Sequence, residues 1–523
     1  MKTIAAISTP PGSGGIAVIR LSGQDALEIA ARAWKGKNLT EASSHTAHLG
    51  TLCDPNGEPI DQCVATIFRG PNSFTGENTV EFSLHGSRWI QRKAMEALLA
   101  FGATPANPGE FTQRAFINGK IDLAQAEAVA DLIASSSRAA HKMALRQMDG
   151  SFSHRLEQLR SQIIELASLL ELELDFSEEE VEFADRKKLR ELTDTTIATI
   201  SNLADTYSAG RAFKEGVPVV IAGAPNAGKS TLLNALLQTD KAIVSDIPGT
   251  TRDIVEDTIE IGGILFRFLD TAGLRETTDT IEAIGIDRAR EALHKASIIL
   301  WLIDPTVPLE PQWKELQAAL PNISDSKIIL LQTKSDIYPQ PLKVPADLSE
   351  LNLPALTQES KPGVGALTQE SVPGVGAHNQ ESEPGLVALT QESEPDLGAL
   401  TQESEPDLGA LTQESEPDLG ALTQISANTG EGINSLKQAL TRIATSDHDP
   451  ANELIITNAR HHSELTAGIE ALRRVRSALD TDLSADFIAQ DIREASHHLG
   501  LVTGAITTDN LLSSIFANFC IGK

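Results

Sequence analysis

Residues 1 to about 120 alternate short runs of β-type pattern, "GIAVIRL", "VATIFRG" and "NTVEFSLHG", with a few helical stretches, which predicts an α+β domain. From about residue 121 the period changes. Leu156, Leu159, Ile163, Leu166, Leu170 and Leu174 recur at three- and four-residue steps and so share one face of a long amphipathic helix. After about residue 450 the pattern is helical again, as in "HSELTAGIEALRRVRSALD". The simplest account is that the two helical blocks bury their stripes against each other, with the middle of the chain inserted between them. That middle alternates strand and helix ("VPVVIAG", "STLLNALLQ", "ILFRFLD", "ASIILWLID", "KIILLQTKSD", "GINSLKQALTRIA"), the signature of a parallel α/β sheet. The expected division is an α+β domain at 1–120, a discontinuous α-helical bundle domain at 121–215 and 447–523, and an inserted α/β domain at 216–446.

A low-complexity stretch, 350–424, interrupts the α/β pattern with six copies of an eleven-residue repeat between Ala355 and Gly420, "ALTQESEPDLG" in its cleanest form. An eleven-residue period can signal a right-handed coiled coil. Each copy here carries a proline and all but one end in glycine, which excludes a continuous helix. One or two large apolar residues per copy cannot offset the entropy of ordering, so a disordered, repeat-expanded loop is expected. Lengthening a loop fourfold costs only about 1.2 kcal/mol in closure entropy.

Composition narrows the function classes. At 523 residues the chain has room for several domains, and its longest apolar run, "ASIILWLI", is too short to span a bilayer. The start, "MKTIAAISTPPGSGG", lacks the apolar length and cleavage site of a signal peptide and reads as a strand entering a glycine-rich turn. Three cysteines, Cys53, Cys63 and Cys520, have no metal-binding spacing and are too few and too odd for a disulfide framework, which fits a reducing cytosol. The formal net charge is −29; residues 355–424 hold thirteen acidic residues against one lysine, and the remainder still carries −17. A broad basic surface for nucleic acid is excluded, so any RNA contact needs a local patch or a partner. The pairs His461-His462 and His497-His498 have no acidic or thiol partner at ligand spacing and read as structural.

The chemistry starts at "GAPNAGKS", Gly223 to Ser230, between a predicted strand and a predicted helix. Glycines let backbone N–H groups of Asn226, Ala227 and Gly228 face phosphates, Lys229 reaches the β- and γ-phosphates, and the hydroxyl of Ser230, followed by Thr231, ligates magnesium. "FLDTAG" places Asp270, Thr271, Ala272 and Gly273 at a strand end, the carboxylate suited to a magnesium-bound water and the Gly273 N–H to the γ-phosphate. "LLQTKSD" ends another strand with Thr333, Lys334 and Asp336. A carboxylate there accepts two hydrogen bonds from the guanine edge, which adenine does not supply, so GTP is the expected nucleotide. Asparagine is usual at the first position of this motif and threonine stands here. "ISANTGEG" offers Ser426 and Ala427 as the loop against the base. "VSDIPGTTRD" is expected to be a mobile segment, with Thr251 completing the magnesium shell. Leu274 follows "DTAG" where many GTPases use glutamine to orient water. Glu282 is a candidate for that role; a solvated helix carboxylate is the competing reading.

The combination "GAPNAGKST", "DIPGTTRD", "DTAGLRE" and terminal "CIGK", with "TPPGSGGIAVIRLSG", "PNSFTGENTVEFSLHG" and "NPGEFTQRAFINGKIDLAQAEAVADLI" before them, resembles the MnmE (TrmE) family of bacterial tRNA-modification GTPases along essentially the whole chain except the repeat. The resemblance implies a potassium-activated GTPase. Asn226 with Ser245, Ile247 and Thr250 would hold the potassium, in a nucleotide-binding loop that also includes Asp246, Pro248 and Gly249, and Glu282 would orient the water. It implies a homodimer, and an N-terminal domain that binds 5-formyl- or 5,10-methylene-tetrahydrofolate at Arg20, Glu81 and Lys120 with Lys523 from the C-terminus. It also implies an FAD-containing partner, MnmG (GidA), forming a heterotetramer that acts on tRNA. The product would be an aminomethyl or carboxymethylaminomethyl group at carbon-5 of the wobble uridine, made in the cytoplasm.

As a C-a-a-X box, Cys520-Ile521-Gly522-Lys523 would be a lipid site, but a final lysine is atypical and no polybasic segment adjoins it. The tail is expected at the modification site instead, with Cys520 required as nucleophile or as structural thiol. The rival functions are a ribosome-assembly or signalling GTPase acting as a binding switch, which the folate-like residues oppose, and a lipidated membrane switch.

Overall fold

Three strands of the N-terminal domain, Ile16–Ser22, Pro59–Phe68 and Thr79–His85, largely alternate buried and open positions, the period-two pattern of a sheet with one covered face. The chain runs β1 (Ile4–Ile7), β2 (Ile16–Ser22), α1 (Ala26–Arg32), β3 (Trp34–Lys35), β4 (Thr46–Cys53), β5 (Pro59–Phe68), β6 (Thr79–His85), α2 (Arg88–Ala100), β7 (Thr104–Pro105) and α3 (Glu110–Ile117). The sheet order is β3-β4-β5-β6-β2-β1-β7, antiparallel except for β7 beside β1. Ile19, Leu21, Ile67 and Phe82 form its core with α1 and α2. The computed structural model describes residues 1–175, 186–239, 257–269, 291–322, 327–343, 345, 423–446, 448–450, 453–481, 485–517, 519 and 521–522. The eleven-residue repeat lies outside them.

Helices follow: α4 (Leu123–Ala134), α5 (Arg138–Met148), α6 (Ser151–Asp175), α7 (Arg186–Asp205) and α8 (Tyr207–Glu215). An Asp122–Gln125 capping box, each side chain bonded to the other's backbone N–H, starts α4. The α/β segment then gives β8 (Val217–Gly223), α9 (Lys229–Thr239), β9 (Asp257–Ile261), β10 (Ile264–Phe268), β11 (Ile298–Ile303), α10 (Leu309–Ala319), β12 (Lys327–Gln332), β13 (Thr423–Gln424) and α11 (Ile433–Ala444). The chain closes with α12 (Ala459–Asp480), α13 (Ala485–Thr503) and α14 (Asp509–Phe516).

The two helical blocks share one core, in which Leu156, Leu159 and Ile163 of α6 meet Leu465, Leu472, Ile492 and Leu499 from the C-terminal block. The stripe read from the sequence thus buries as expected; the side chains of Leu166, Leu170 and Leu174 lie outside those described. Chain entry and exit of the α/β segment touch. Thr206 Oγ1 accepts the Ile456 N–H at 3.0 Å, and Gly210 lies flat against the Ile456 carbonyl.

The α/β sheet has the order β13-β12-β11-β8-β10-β9. Strand β11, "IILWLI", is buried at all six positions, as a central parallel strand covered on both faces must be. The pattern predicts a parallel sheet, and one strand departs from it: β9 pairs antiparallel with β10. The cause is local, since Gly262 and Gly263 both adopt positive φ (61° and 84°) and close a two-residue hairpin. Helix α5 seats on this hairpin: the Arg138 N–H donates to Glu260 Oε1 at 3.1 Å, the Ala139 N–H donates to the Gly263 carbonyl at 2.9 Å, and Ala139 and Met143 join the α/β core.

Candidate functional site

The phosphate loop joins β8 to α9, with Gly223 at φ 135°, Asn226 at 62° and Gly228 at 99°. At Gly223 a Cβ would stand 2.5 Å from the Leu302 carbonyl, so the loop leaves the sheet against β11 with no room for a side chain. At Gly228 a Cβ would meet nothing within 4 Å, and the space it leaves lies beside the N-terminus of α9. Lys229 folds back over the loop, its Nζ donating to the carbonyls of Gly223 at 2.7 Å and Ala224 at 2.9 Å. Burial lowers the Lys229 pKa, with a smaller opposing pull from Glu315. Among the described residues the ammonium's hydrogen-bond partners are neutral carbonyls, a setting that fits an anionic ligand. Ala227 is buried, Asn226 and Thr231 are exposed, and Ser230, the expected magnesium ligand, stands in the first turn of α9.

The two segments expected to meet the base lie at the same edge of the sheet. Residues 333–336 follow β12, Ser426 and Ala427 follow β13, and the two strands pair in parallel through Leu331–Thr423 and Gln332–Gln424. Ser426 Oγ donates to Asp336 Oδ1 at 2.7 Å, and Asp336 is exposed. The Ser335 N–H donates to the Ile425 carbonyl at 3.2 Å and Ser335 Oγ donates to Glu431 Oε2 at 3.1 Å, locking the two loops together. Thr333 is buried, with its N–H and its hydroxyl both directed to the Ile303 carbonyl. Lys334 adopts φ 57°, and its Nζ reaches Asp304 Oδ2 at 2.5 Å.

On the N-terminal sheet Arg20 and Glu81 are cross-strand partners of β2 and β6, joined by a 2.7 Å Nε–Oε1 ion pair at side-chain exposures of 20% and 24%. The Arg20 guanidinium also lies 5.6 Å from the ring centroids of both Phe74 and Phe111. Lys120 reaches the same 70–78 loop, its methylenes packing at Gly76. The loop is fixed by Arg114, which is 3% exposed and pairs with Glu77 at 3.0 Å and Glu110 at 2.7 Å. Cation, carboxylate and aromatic faces in one place fit a flat heterocycle with an anionic tail. The C-terminal tail comes to this domain: Phe516 and Phe519 pack at Gly109, and Ser8 Oγ donates to the Gly522 carbonyl.

Several candidates lie outside the described residues: Ser245, Asp246, Ile247, Pro248, Gly249, Thr250, Thr251, Asp270, Thr271, Ala272, Gly273, Glu282, Cys520 and Lys523. The sequence missed one buried cluster. His461, read as lacking an acidic partner, has one from a distant helix: its Nε2 lies 2.6 Å from Glu127 Oε2, and its ring stacks on Phe152. Arg460 forks onto the same carboxylate at 3.0 and 2.8 Å and donates to the carbonyls of Leu501 and Val502. Burial alone would raise the Glu127 pKa; the His461 charge and hydrogen bond, with those of Arg460, outweigh it and bring the carboxyl to about 2. Spacing along the chain could not reveal this tie between α4 and α12. Among the described residues no group of three or more His, Cys, Asp or Glu is placed to hold a metal, and no helix is long and apolar enough to cross a membrane.

Two family models match the chain: the GTP-binding protein TrmE N-terminus over residues 3–120 and the MnmE helical domain over residues 123–520. Proteins named tRNA modification GTPase MnmE are similar along essentially their full length. That of Parabacteroides distasonis is 44% identical over 528 residues, covering 100% of both chains. That of Flavobacterium johnsoniae is 41% identical and that of Bacteroides fragilis 42%, each alignment covering 100% of this chain and 99% of the relative.

Proposed function

The chain belongs to the MnmE (TrmE) family, and from that premise we propose that it hydrolyses GTP to GDP and phosphate in the service of tRNA modification. The observation that carries the reading is the joint placement of Lys229 and the Asp336–Ser426 pair along one edge of a single sheet, at the carboxyl ends of β8, β12 and β13. Asp336 accepts the donor edge of guanine while Ser426 holds its other oxygen in place. Lys229 exchanges the Gly223 and Ala224 carbonyls for phosphate oxygens, and Glu282 orients the attacking water. Ser230 and Thr251 would hold magnesium, and Asn226, Ser245, Ile247 and Thr250 would hold potassium; when bound, these ions would supply positive charge for phosphoryl transfer, and tetrahydrofolate would supply a one-carbon unit.

At the second site Arg20 and Lys120 would hold the anionic tail of the folate and Glu81 would accept from its pterin edge, with Lys523 and Cys520 taking part in the modification. Working as a homodimer with a flavoprotein partner, the protein aminomethylates or carboxymethylaminomethylates carbon-5 of wobble uridines. GTP hydrolysis drives a conformational step in this scheme and contributes no carbon. Nucleoside analysis of tRNA from cells lacking the protein tests the whole; unchanged wobble uridines refute it. Hydrolysis rates that are equal in potassium and sodium refute the Asn226 assignment.

A further inference from the structure

The motif that reads the base departs from its usual form at Thr333, which spends both its N–H and its hydroxyl on the Ile303 carbonyl behind it. Ser335 ties the segment to the neighbouring loop, and Lys334 anchors it on the other side, to the strand behind. The Lys334 backbone is left-handed, φ 57°, a conformation that costs a non-glycine residue and persists only where surroundings fix it. What fixes it comes from the end of β11. Asp304 is 2% exposed, and its Oδ2 accepts Lys334 Nζ at 2.5 Å. Its Oδ1 accepts the N–H and hydroxyl of Thr306 at 2.9 and 2.6 Å. Gln312 of α10 clamps the Asp304 backbone from both sides, accepting its N–H and donating to its carbonyl, each at 2.9 Å. A buried carboxylate held this firmly is a rigid post, and it stands under the residue two positions before Asp336.

We propose that Asp304 is a positioning residue for guanine-nucleotide binding, acting through Lys334 to hold the 333–336 turn so that Asp336 meets the base. The inference rests on the GTPase reading and adds to it a residue outside the nucleotide-binding motifs. A purely structural aspartate, there only to cap the Thr306 turn, would make the same bonds to Thr306 and Gln312 and need no ammonium.

The test measures fluorescent GDP affinity and steady-state GTP hydrolysis on the full chain for wild type, Asp304→Asn, Lys334→Ala and the double variant. Loss of a charge-assisted bond predicts that Asp304→Asn weakens GDP binding at least about tenfold and raises KM for GTP alike, the loss falling on KM far more than on kcat. The double variant binds no more weakly than Lys334→Ala alone, because the aspartate acts through the lysine. Wild-type affinity in Asp304→Asn, or losses that multiply in the double variant, overturn the proposal. Failure of the wild type itself to bind GDP overturns the GTPase reading instead. Should Asp304→Asn melt early without nucleotide, Lys334→Gln removes the same bond from its half-exposed end; it must show the same loss on KM, and an unchanged KM overturns the proposal.

Discussion

Ser8 Oγ donates a 3.1 Å hydrogen bond to the carbonyl of Gly522, a residue 514 positions further along the chain. Gly522 has φ 95°, and a Cβ there would stand 2.4 Å from the Ile7 carbonyl and 3.0 Å from the Ser8 Cα. The end of β1 is therefore a seat that admits only glycine from the tail. Gly522→Ala should displace the tail and cut tRNA modification at least about tenfold, since overpacking of this kind costs about 1–3 kcal/mol. Ser8→Ala, which removes one hydrogen bond of about 1 kcal/mol, should cut it less. Nucleoside composition of tRNA and GTP turnover are the paired readouts. Full modification in Gly522→Ala would show that the seat is dispensable.

The Glu127 carboxyl sits at about 2 against an ordinary 4.5, so the fold favours its charged form. Its contribution to stability is complete above pH 4.5 and is lost as pH falls towards 2, amounting to about 3 kcal/mol. Glu127→Gln should lower stability by about that much at neutral pH, as breaking one arm of a buried ion pair does. The gap between variant and wild type should shrink through the acid range. Urea denaturation followed by circular dichroism at pH 7 and pH 3 measures both, and a gap independent of pH would be evidence against the tie to His461 and Arg460.

Deleting residues 355–420 should leave KM for GTP within about twofold of wild type, because loop length enters closure entropy only logarithmically. The sheet is fastened before the repeat begins. Gln332 Nε2 donates to the carbonyls of Tyr338 and Gln340 at 3.1 and 2.8 Å, and Gln424 Nε2 donates to the Pro339 carbonyl at 3.0 Å. A collapse of hydrolysis would mean that the repeat contributes to the nucleotide site.

Gly210→Ala reverses the usual sign of a helical glycine replacement. Alanine in a helix ordinarily gains about 1 kcal/mol over glycine. Here its Cβ would lie 2.1 Å from the Ile456 carbonyl and 2.7 Å from the Ile455 Cγ2, where chain entry and exit touch. A net loss of about 1–3 kcal/mol is expected, read as a lower melting temperature. A gain would contradict the packing.

The strand–loop–helix setting of Gly223 to Ser230, the strand end before Thr333 and the helical stripe of Leu156, Leu159 and Ile163 were legible because their logic is local: residues within one motif or one helix face supply it. Asp304 under Lys334, Glu127 against His461 and Ser8 under Gly522 were not. Each pairs residues 30, 334 and 514 positions apart, and only the folded chain sets those distances. Arg20 and Glu81 fall between the two cases. Their cross-strand register follows from the sheet, but their cation–aromatic setting depends on Phe74 and Phe111 arriving from a loop and a helix.

The bond from the Ile456 N–H to Thr206 Oγ1 has a consequence for how such a chain can be assembled. Where a segment leaves and rejoins its host a hydrogen bond apart, its two ends are already a closed junction. The helical bundle can then be built from residues far apart in sequence as though they were neighbours. Excising the whole α/β segment and bridging 216 to 455 with a short turn should leave the bundle's ends where they now stand, so the nucleotide-handling part can be exchanged as a cassette.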